Sequence, residues 1–319
     1  MAVSVVVTRI PGGTALDRLT SEFDVWAWEE DRAIPRDVLL EQVASAAGLY
    51  CMLTDPIDAD LIDGAQRLRA ISTMAVGVDN IDLAACRRRG IRVGHTPDVL
   101  TNSTADMAWA LLMASSRRLV EGVDYIRSGL WERWEPGVLL GHDITGSTLG
   151  IIGMGRIGQA VARRSTGFGM PVLYSSRSSV KGIEDDVGAE RVGLVDLLAR
   201  ADHVVVAVSL SDDTAGLIGS EAFRVMKPTA NLVNISRGPV VDSDALVEAL
   251  TSGQIRCAGL DVTDPEPIPS DHALMALPNC TIVPHVGSAT ERTRLSMAQL
   301  AADNLVAGLT GDPMPAEVK

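Results

Sequence analysis

The stretch Thr148-Leu149-Gly150-Ile151-Ile152-Gly153-Met154-Gly155-Arg156-Ile157-Gly158 decides the fold. A short apolar run typical of a buried strand leads into the pattern G-x-G-x-x-G and then into a helical stretch. In a dinucleotide-binding turn the first glycine permits the tight turn, the second lets backbone N–H groups approach the pyrophosphate, and the third lets the helix pack on the strand. The alternative is an ordinary glycine-rich turn, but both flanks favour the dinucleotide site. Its predicted cofactor-binding residues are Gly153, Gly155, Arg156, Ile157 and Gly158.

The segment after the next predicted strand bears on the choice of dinucleotide. About 20 residues beyond the glycine turn, an acidic residue would bind the ribose hydroxyls of NAD and repel a 2′-phosphate. Here the sequence is Tyr174-Ser175-Ser176-Arg177-Ser178-Ser179-Val180-Lys181, with a guanidinium and hydroxyls in place of the carboxylate. Since a guanidinium suits a phosphate, we predict a preference for NADP(H). The alternative is a solvated turn that also accepts NAD(H). The predicted contacts are Ser176, Arg177, Ser178 and Ser179.

Strand-like and helical segments alternate on both sides of this motif, which predicts an α/β fold with parallel sheets. Upstream, strands are predicted at 3–8, 24–27, 49–53 and 70–73, with a helix over 35–44. Downstream, six strands are predicted at 149–152, 172–174, 203–208, 231–235, 257–260 and 281–283. Six strands are enough for a complete dinucleotide-binding sheet.

The length of 319 residues predicts two domains. Residues 1–100 and 288–319 are assigned to a smaller flavodoxin-like substrate domain, and residues 101–287 to the Rossmann-type cofactor domain. The returning segment is predicted to begin a helix at Ser288, which forms a capping box with Glu291. Its buried stripe is predicted to consist of Leu295, Ala298, Ala302, Leu305 and Leu309. Two chain crossings would form a hinge over a cleft between two doubly wound domains.

Charge and composition exclude several classes of protein. The formal net charge of -13 disfavours nucleic acid and anionic membrane surfaces as partners. No apolar run approaches the ~20 residues that cross a bilayer, and the first residues lack the basic start of a secretion signal. The cysteines lack the spacing of a metal site or a disulfide framework, so we expect buried thiols, no metal and a cytoplasmic location. They are Cys51, Cys86, Cys257 and Cys280.

Three chemically informative residues follow three of the downstream strands. They are Arg237, Glu266 and His285, in N-I-S-R-G-P, D-V-T-D-P-E-P and P-H-V-G-S. Because ligands collect at the carboxyl ends of parallel strands, we expect these side chains to converge. Arg237 could bind a substrate carboxylate and polarise its carbonyl, or form a surface ion pair. A carboxylate beside an imidazole orients the ring and favours the imidazolium, which a proton donor requires.

Two further features are a glycine turn in the upstream half and the remaining histidines. In the upstream half, a glycine turn follows the strand at 70–73, and the N–H groups of Val76 and Gly77 could hold an anion there. The remaining histidines are expected to have structural roles in the core or at the surface. They are His95, His142, His203 and His272.

Taken together, these segments resemble the D-isomer-specific 2-hydroxyacid dehydrogenase family, over nearly the whole chain. The order G-x-G-x-x-G, N-I-S-R-G, D-V-x-x-x-E-P and P-H-V-G-S-A-T carries the resemblance. W-E-R-W-E-P at 131–136, the S-S-R segment and G-D-P-M-P at 311–315 resemble the glyoxylate/hydroxypyruvate reductases within it. The stretch at 137–143 departs from the pattern expected of those reductases.

The resemblance implies a role for each matching residue. Arg237 binds the substrate carboxylate and carbonyl, Glu266 supports His285, and His285 exchanges the proton. Further substrate contacts implied are Val76, Gly77, Trp134, Ser209 and Ser288, and further cofactor contacts are Ile235, Asp261 and Gly287.

The resemblance also implies a homodimer, because the matching tryptophan reaches the partner subunit's active site. For Trp134 the alternative is a buried core aromatic.

The expected activity is NADPH-preferring reduction of glyoxylate or hydroxypyruvate, with NAD(H) as the alternative cofactor. Domain closure is expected to exclude water and to bring Val76 and Gly77 onto the substrate carboxylate. Rival functions are another D-2-hydroxyacid dehydrogenase, such as phosphoglycerate dehydrogenase, and a non-catalytic dinucleotide-sensing protein. Formate dehydrogenase is disfavoured because Glu266 stands where a glutamine would be expected. Phosphoglycerate dehydrogenase is disfavoured because such enzymes often carry a C-terminal regulatory domain, for which we expect no room in the 319 residues.

Overall fold

A computed structural model describes residues 3–319. The strands over this range are β1 (Ser4–Val7), β2 (Asp24–Ala27), β3 (Gly48–Cys51), β4 (Ala70–Thr73), β5 (Arg92–Gly94), β6 (Leu149–Ile152), β7 (Val172–Ser175), β8 (Glu190–Arg191), β9 (His203–Val206), β10 (Asn231–Asn234), β11 (Cys257–Leu260) and β12 (Cys280–Ile282). The α-helices are α1 (Ala15–Thr20), α2 (Arg36–Val43), α3 (Ala59–Gly64), α4 (Leu83–Arg89), α5 (Thr101–Ser116), α6 (Leu119–Arg127), α7 (Arg156–Arg164), α8 (Lys181–Val187), α9 (Leu194–Arg200), α10 (Ser220–Val225), α11 (Ser243–Ser252) and α12 (Glu291–Thr310). Three short 3-10 helices lie at Ser165–Phe168, Gly238–Val240 and Ala273–Ala276.

The chain divides into two units. One contains the residues up to Leu100 together with Ala289–Lys319, and the other contains Thr101–Ser288. Among the described residues, no helix combines the length and apolar character needed to cross a bilayer. All four cysteines are free thiols.

The first unit is built on a five-stranded parallel sheet in the order β2-β1-β3-β4-β5. This is the flavodoxin-like order, and β3 and β4 are buried along their whole length because helices cover both faces of a parallel sheet. The helix α12 covers one face with a stripe of mostly small residues. In this unit the buried side chains of Ala298, Ala302 and Leu305 cluster with Val5 and Tyr50.

The start of α12 differs from the prediction. The N-cap is Thr290, whose side-chain oxygen accepts a hydrogen bond from the Thr293 N–H at 3.2 Å, so the predicted capping box of Ser288 and Glu291 is wrong. Ser288 and Thr290 both carry a hydroxyl group that can cap a helix, and the local sequence does not show which of them is the N-cap. Leu295 was wrongly placed in the buried stripe. It is 41% exposed and lies beside the Gly12-Gly13 turn.

The second unit is built on a seven-stranded parallel sheet in the order β12-β11-β10-β9-β6-β7-β8. Strand order reverses at β6, where the chain crosses from the β7 side to β9, as in dinucleotide-binding folds. The α/β class and the two parallel sheets are therefore confirmed. The predicted count of six strands was too low because β8 has two residues, both exposed, and shows no apolar run. The predicted strand at 203–208 ends earlier, at Val206.

Candidate active site

The pairing of three neighbouring strands brings the predicted catalytic residues to one sheet edge. Asn234 of β10 is paired with Leu260 of β11, which is paired in turn with Ile282 of β12. All three strands run parallel, so the chain leaves each of them at the same edge. Arg237 follows the end of β10, Glu266 follows β11 and His285 follows β12. Strand register thus groups three side chains that are far apart along the chain.

The closest contact in this group joins His285 and Glu266. The Nδ1 atom of His285 lies 2.6 Å from Oε1 of Glu266, and the two side chains are 23% and 33% exposed. Burial raises the pKa of Glu266, but the hydrogen bond and charge of His285, with a smaller effect of the Arg237 charge, bring the pKa below its ordinary value. Glu266 is therefore ionised at neutral pH, and its bond to Nδ1 leaves Nε2 of the ring for other chemistry.

The backbone at His285 is held in an unusual conformation by Asp261. His285 has a positive φ of 51°, which is uncommon for a residue other than glycine. Its N–H donates to the Asp261 carbonyl at 2.9 Å, and the N–H groups of Val286 and Gly287 donate to the Asp261 carboxylate at 2.7 and 2.9 Å. Burial raises the pKa of Asp261, an effect that these N–H donors partly offset. Asp261 thus fixes the turn that presents the imidazole.

The loop that carries Arg237 packs directly on the loop that carries Glu266. A methyl group at Gly238 would lie 1.9 Å from the Thr263 carbonyl oxygen, so only glycine allows this approach. The Asn234 side chain holds the Arg237 loop as well, because its Nδ2 donates to the Arg237 carbonyl at 3.0 Å. Arg237 Nη1 donates to the Ser236 carbonyl at 2.9 Å. The positive charge of the Arg237 guanidinium also contributes to lowering the pKa of Glu266.

This arrangement has the components for reducing a carbonyl next to a carboxylate. The imidazole, oriented by Glu266, can donate a proton to a forming alkoxide. The guanidinium can bind a carboxylate in two parallel hydrogen bonds and polarise the carbonyl beside it. Among residues 3–319, no group of His, Cys, Asp or Glu side chains is arranged to hold a metal ion.

The glycine turn after β6 fits a dinucleotide. A Cβ at Gly155, the N-cap of α7, would meet no atom within 4 Å among the described residues, so the backbone there faces open space. A methyl group at Gly158 would instead lie 2.1 Å from the Gly153 carbonyl oxygen, which makes this glycine necessary for packing the helix on the turn. The open N-terminus of α7 can bind a pyrophosphate. Ile157 is partly buried and Arg156 is exposed.

The turn after β7 is ordered by its own hydrogen bonds. Ser176 Oγ donates to the Ser178 carbonyl at 2.6 Å, and Ser179 Oγ donates to Glu184 at 2.8 Å. The Arg177 side chain is exposed. A second arginine, Arg191, was not predicted: it donates from Nη2 to the carbonyls of Ser176 and Arg177 at 2.9 and 3.0 Å. Only the pairing of β8 with β7 reveals it, because no local motif links these segments.

Other predicted contacts of the second unit lie at or near the same strand ends. Ile235 is buried directly after β10, and Gly287 is buried on the loop that follows β12. Ser288 on that loop is partly buried, and Ser209 is exposed after β9. Trp134 lies instead on the segment after α6 and is 79% exposed, so the alternative of a buried core aromatic is wrong.

Val76 and Gly77 belong to the first unit, where they follow β4. Both residues are partly buried. His95, which was expected to have a structural role, contacts this loop: its Nδ1 lies 2.9 Å from the Val76 carbonyl oxygen.

The other histidines have contacts of a structural kind. His203 is buried at the start of β9, the opposite end of the strand from the sheet edge that carries Arg237, Glu266 and His285. His272 Nδ1 accepts a hydrogen bond from the Leu274 N–H at 3.2 Å. The backbone N–H of His142 donates to the Ser116 carbonyl at 2.9 Å.

Comparison with known proteins places these features in a family. Residues 109–287 match the model of the D-isomer specific 2-hydroxyacid dehydrogenase, NAD binding domain. A glyoxylate reductase from Thermococcus gammatolerans is 49% identical over 99% of this chain and 95% of its own length. A glyoxylate reductase/hydroxypyruvate reductase from Homo sapiens is 49% identical over 98% of this chain and 97% of its own length.

A solved structure agrees with these matches. An NADPH-dependent glyoxylate/hydroxypyruvate reductase from Sinorhizobium meliloti, in complex with NADP and malonate, has a TM-score of 0.87 and 31% identity, covering 100% of this chain and 97% of that one. The predicted resemblance is confirmed: the chain belongs to the D-isomer-specific 2-hydroxyacid dehydrogenase family, whose NAD-binding domain it carries.

Proposed function

We propose that this chain is an NADPH-preferring reductase of a small 2-oxoacid, converting glyoxylate to glycolate and hydroxypyruvate to D-glycerate. The observation that carries the proposal is the 2.6 Å contact between His285 and Glu266 beside the Arg237 loop. The relatives named glyoxylate reductase and hydroxypyruvate reductase support the choice of substrate.

Each residue of the group has one task in this proposal. Arg237 binds the substrate carboxylate and polarises the C2 carbonyl. His285 donates its Nε2 proton to the oxygen at C2, while Glu266 keeps the ring oriented and stabilises the imidazolium. When bound, the dihydronicotinamide supplies the hydride that C2 accepts. Val76 and Gly77 are proposed to bind the carboxylate through their N–H groups, with Ser209, Ser288 and the partner's Trp134 as further substrate contacts.

The cofactor is proposed to bind along the carboxyl ends of β6, β7, β10 and β12. The N-terminus of α7 would hold the pyrophosphate. Ser176, Arg177, Ser178 and Ser179 would hold the adenosine 2′-phosphate, which favours NADPH over NADH. The NADPH-dependent reductase with a TM-score of 0.87 supports this preference. Ile235, Asp261 and Gly287 would line the nicotinamide end.

We propose a homodimer as the working form. Helix α6 has no buried residue, and large apolar side chains are exposed along it and the segment that follows, at 45% to 79% of their area. A group of exposed large apolar side chains of this size is typical of a protein–protein interface. Its members are Leu119, Val120, Val123, Ile126, Leu130, Trp131, Trp134 and Leu140. We also propose a cytoplasmic location, which the four free thiols support.

The activity can be tested with a spectrophotometric assay. Loss of NADPH or NADH absorbance is followed with glyoxylate, hydroxypyruvate and pyruvate as separate substrates. We expect the highest kcat/KM with glyoxylate or hydroxypyruvate and NADPH. No turnover of any oxoacid with either cofactor would reject the proposed reaction, and faster turnover with NADH would reject the cofactor preference alone.

The role of His285 is tested by substitution. His285→Ala should lower kcat by about 10²- to 10⁴-fold, the usual contribution of general acid catalysis. The matched control is His272→Asn, because His272 lies in the same unit and only accepts a backbone N–H bond there. A His285→Ala enzyme with unchanged kcat would remove this residue from the mechanism.

A further inference from the structure

A second arginine reaches the turn at the end of β7 from the neighbouring strand. In the pairing of β7 with β8, Arg191 stands opposite Tyr174, one residue before the end of β7. Its guanidinium donates from Nε to the Ser176 carbonyl at 3.2 Å and from Nη2 to the Ser176 and Arg177 carbonyls at 2.9 and 3.0 Å. These bonds fix the carbonyls of the turn and place a positive charge directly behind it.

This charge has no carboxylate partner within ion-pair distance, unlike the charges of Arg163 and Arg200 in the same unit. Arg163 pairs with Asp186 at 3.1 Å and Arg200 pairs with Glu190 at 2.8 Å. Within residues 3–319, neither Arg177 nor Arg191 forms such a pair. In a chain with a net charge of -13, two unpaired guanidinium groups at one turn indicate a site for an anion.

A carboxylate whose pKa the Arg191 charge lowers, that of Glu184, is already held by hydroxyl groups. Glu184 accepts hydrogen bonds from Tyr174 and Ser179, which lower its pKa, and the charges of Lys181 and Arg191 lower it further. The Tyr174 hydroxyl in turn accepts from the Val180 N–H at 2.9 Å. This network ties the far end of the turn to β7, so Glu184 does not occupy the Arg191 donors.

The Arg191 guanidinium retains donors for a ligand. A guanidinium carries five N–H groups in a planar fork, and Arg191 uses Nε and Nη2 for the turn. Its Nη1 makes no hydrogen bond to the part of the chain that the structure describes. Two further N–H groups are thus available at the strand end where the adenosine ribose of a dinucleotide lies in this kind of fold.

We propose that Arg191 is a specificity-determining residue for the adenosine 2′-phosphate of NADPH. It braces the carbonyls of the Ser176-Arg177 turn and offers Nη1 as a second cationic donor beside Arg177. This inference rests on the proposed NADPH preference and adds a residue to it. Phosphate recognition by two guanidinium groups is stronger than by one because each adds charge-assisted hydrogen bonds.

The test measures binding without any hydride chemistry. Adenosine 2′,5′-bisphosphate and 5′-AMP, which differ only in the 2′-phosphate, are titrated calorimetrically into the wild-type protein and into Arg191→Met, Arg191→Lys and Arg224→Met. Arg224→Met is the charge-matched control, since Arg224 is exposed and paired with Glu221 on α10. Circular dichroism verifies that each variant is folded.

We expect Arg191→Met to lower the affinity for the bisphosphate by about 10- to 100-fold, because charge-assisted hydrogen bonds are lost. The affinity for 5′-AMP should fall by less than about twofold. Arg191→Lys should lose less affinity for the bisphosphate, because lysine keeps the positive charge but lacks the planar set of guanidinium donors. Equal weakening of both ligands, or none, would overturn the Arg191 inference while the wild-type preference stands. A wild-type protein that binds both ligands equally would overturn the NADPH preference and this inference together, whereas oxoacid reduction with NADH would still support the reductase.

Discussion

The imidazole of His285 is positioned from two sides by two acidic residues with opposite pKa shifts. Glu266 bonds one ring nitrogen, and its pKa is lowered although burial alone raises it. The Asp261 carboxylate accepts hydrogen bonds from the N–H groups of Val286 and Gly287, and burial raises the pKa of Asp261. The two carboxylates are therefore protonated in different pH ranges, and the effect of each can be measured by substituting one residue at a time.

Glu266→Gln should remove a pH-dependent part of the stability. Because the pKa of Glu266 is lower in the folded state, the stabilisation is present above the ordinary value of 4.5 and is lost as pH falls through the folded value. Urea unfolding should show the variant less stable than wild type near neutral pH, with the difference shrinking in acid. A difference that is the same at every pH would contradict this account.

Asp261→Asn should weaken catalysis by releasing the His285 turn. Asparagine has one acceptor oxygen, so one of the N–H groups of Val286 and Gly287 loses its partner and faces an NH₂ group. The positive φ of His285, a conformation that costs about 1–3 kcal/mol, is then less well supported. We expect kcat to fall about tenfold or more. Asp264→Asn, an exposed residue on the same loop, is the control and should retain wild-type kcat.

At the scale of elements, the loop after β4 depends on a residue from the loop after β5. His95 Nδ1 lies 2.9 Å from the Val76 carbonyl oxygen. In a trans peptide the C=O and N–H groups point in opposite directions, so this contact directs the Gly77 N–H away from His95. Neither the Val76 nor the Gly77 N–H donates to another backbone group of residues 3–319. The His95 contact thus orients a donor that is proposed to bind the substrate.

His95→Phe should therefore raise the KM for the oxoacid by about tenfold, the loss of one well-placed hydrogen bond to an anion, and leave the KM for NADPH unchanged. His95→Asn, which keeps a side-chain donor, should restore most of the affinity. Steady-state kinetics with each substrate varied in turn distinguishes the two effects. Equal rises in both KM values would indicate general damage to the fold and contradict the positioning role.

Sequence patterns predicted those features that depend on one segment or on strand order. The G-x-G-x-x-G turn and the edge that groups Arg237, Glu266 and His285 follow from parallel topology. The N-cap of α12 was mispredicted because Ser288 and Thr290 are both suitable capping residues. The exposure of Leu295 was mispredicted because helical spacing alone does not show which apolar residues are buried. The contacts of Arg191 with the turn after β7 and of His95 with the Val76 carbonyl could not be predicted, since each joins residues on different strands or loops.

For the whole molecule, the exposed apolar side chains of α6 and the segment after it form the proposed dimer interface. Ile126 and Leu130 are 59% and 61% exposed. Introducing charge at the centre of an apolar interface removes contacts and buries an unpaired charge. We expect the double variant Ile126→Glu, Leu130→Glu to raise the dimer dissociation constant by about a hundredfold or more.

Analytical ultracentrifugation over a range of concentrations measures this change. The control is Val195→Glu, because Val195 is 66% exposed on α9, outside the proposed interface. We expect the control to remain dimeric. A wild-type protein that sediments as a monomer would reject the dimer, and a double variant that dimerises normally would reject this surface.

The chain order of the first unit also bears on how the protein is made. Helix α12, whose buried alanines share a hydrophobic cluster with side chains of β1 and β3, is synthesised after the whole of Thr101–Ser288. At about 5–20 residues per second, the ribosome needs roughly 10 to 40 seconds to reach it after Leu100 has been added to the chain. During that interval the nascent sheet exposes one apolar face to its surroundings, whereas the second unit is synthesised as one continuous segment, Thr101–Ser288.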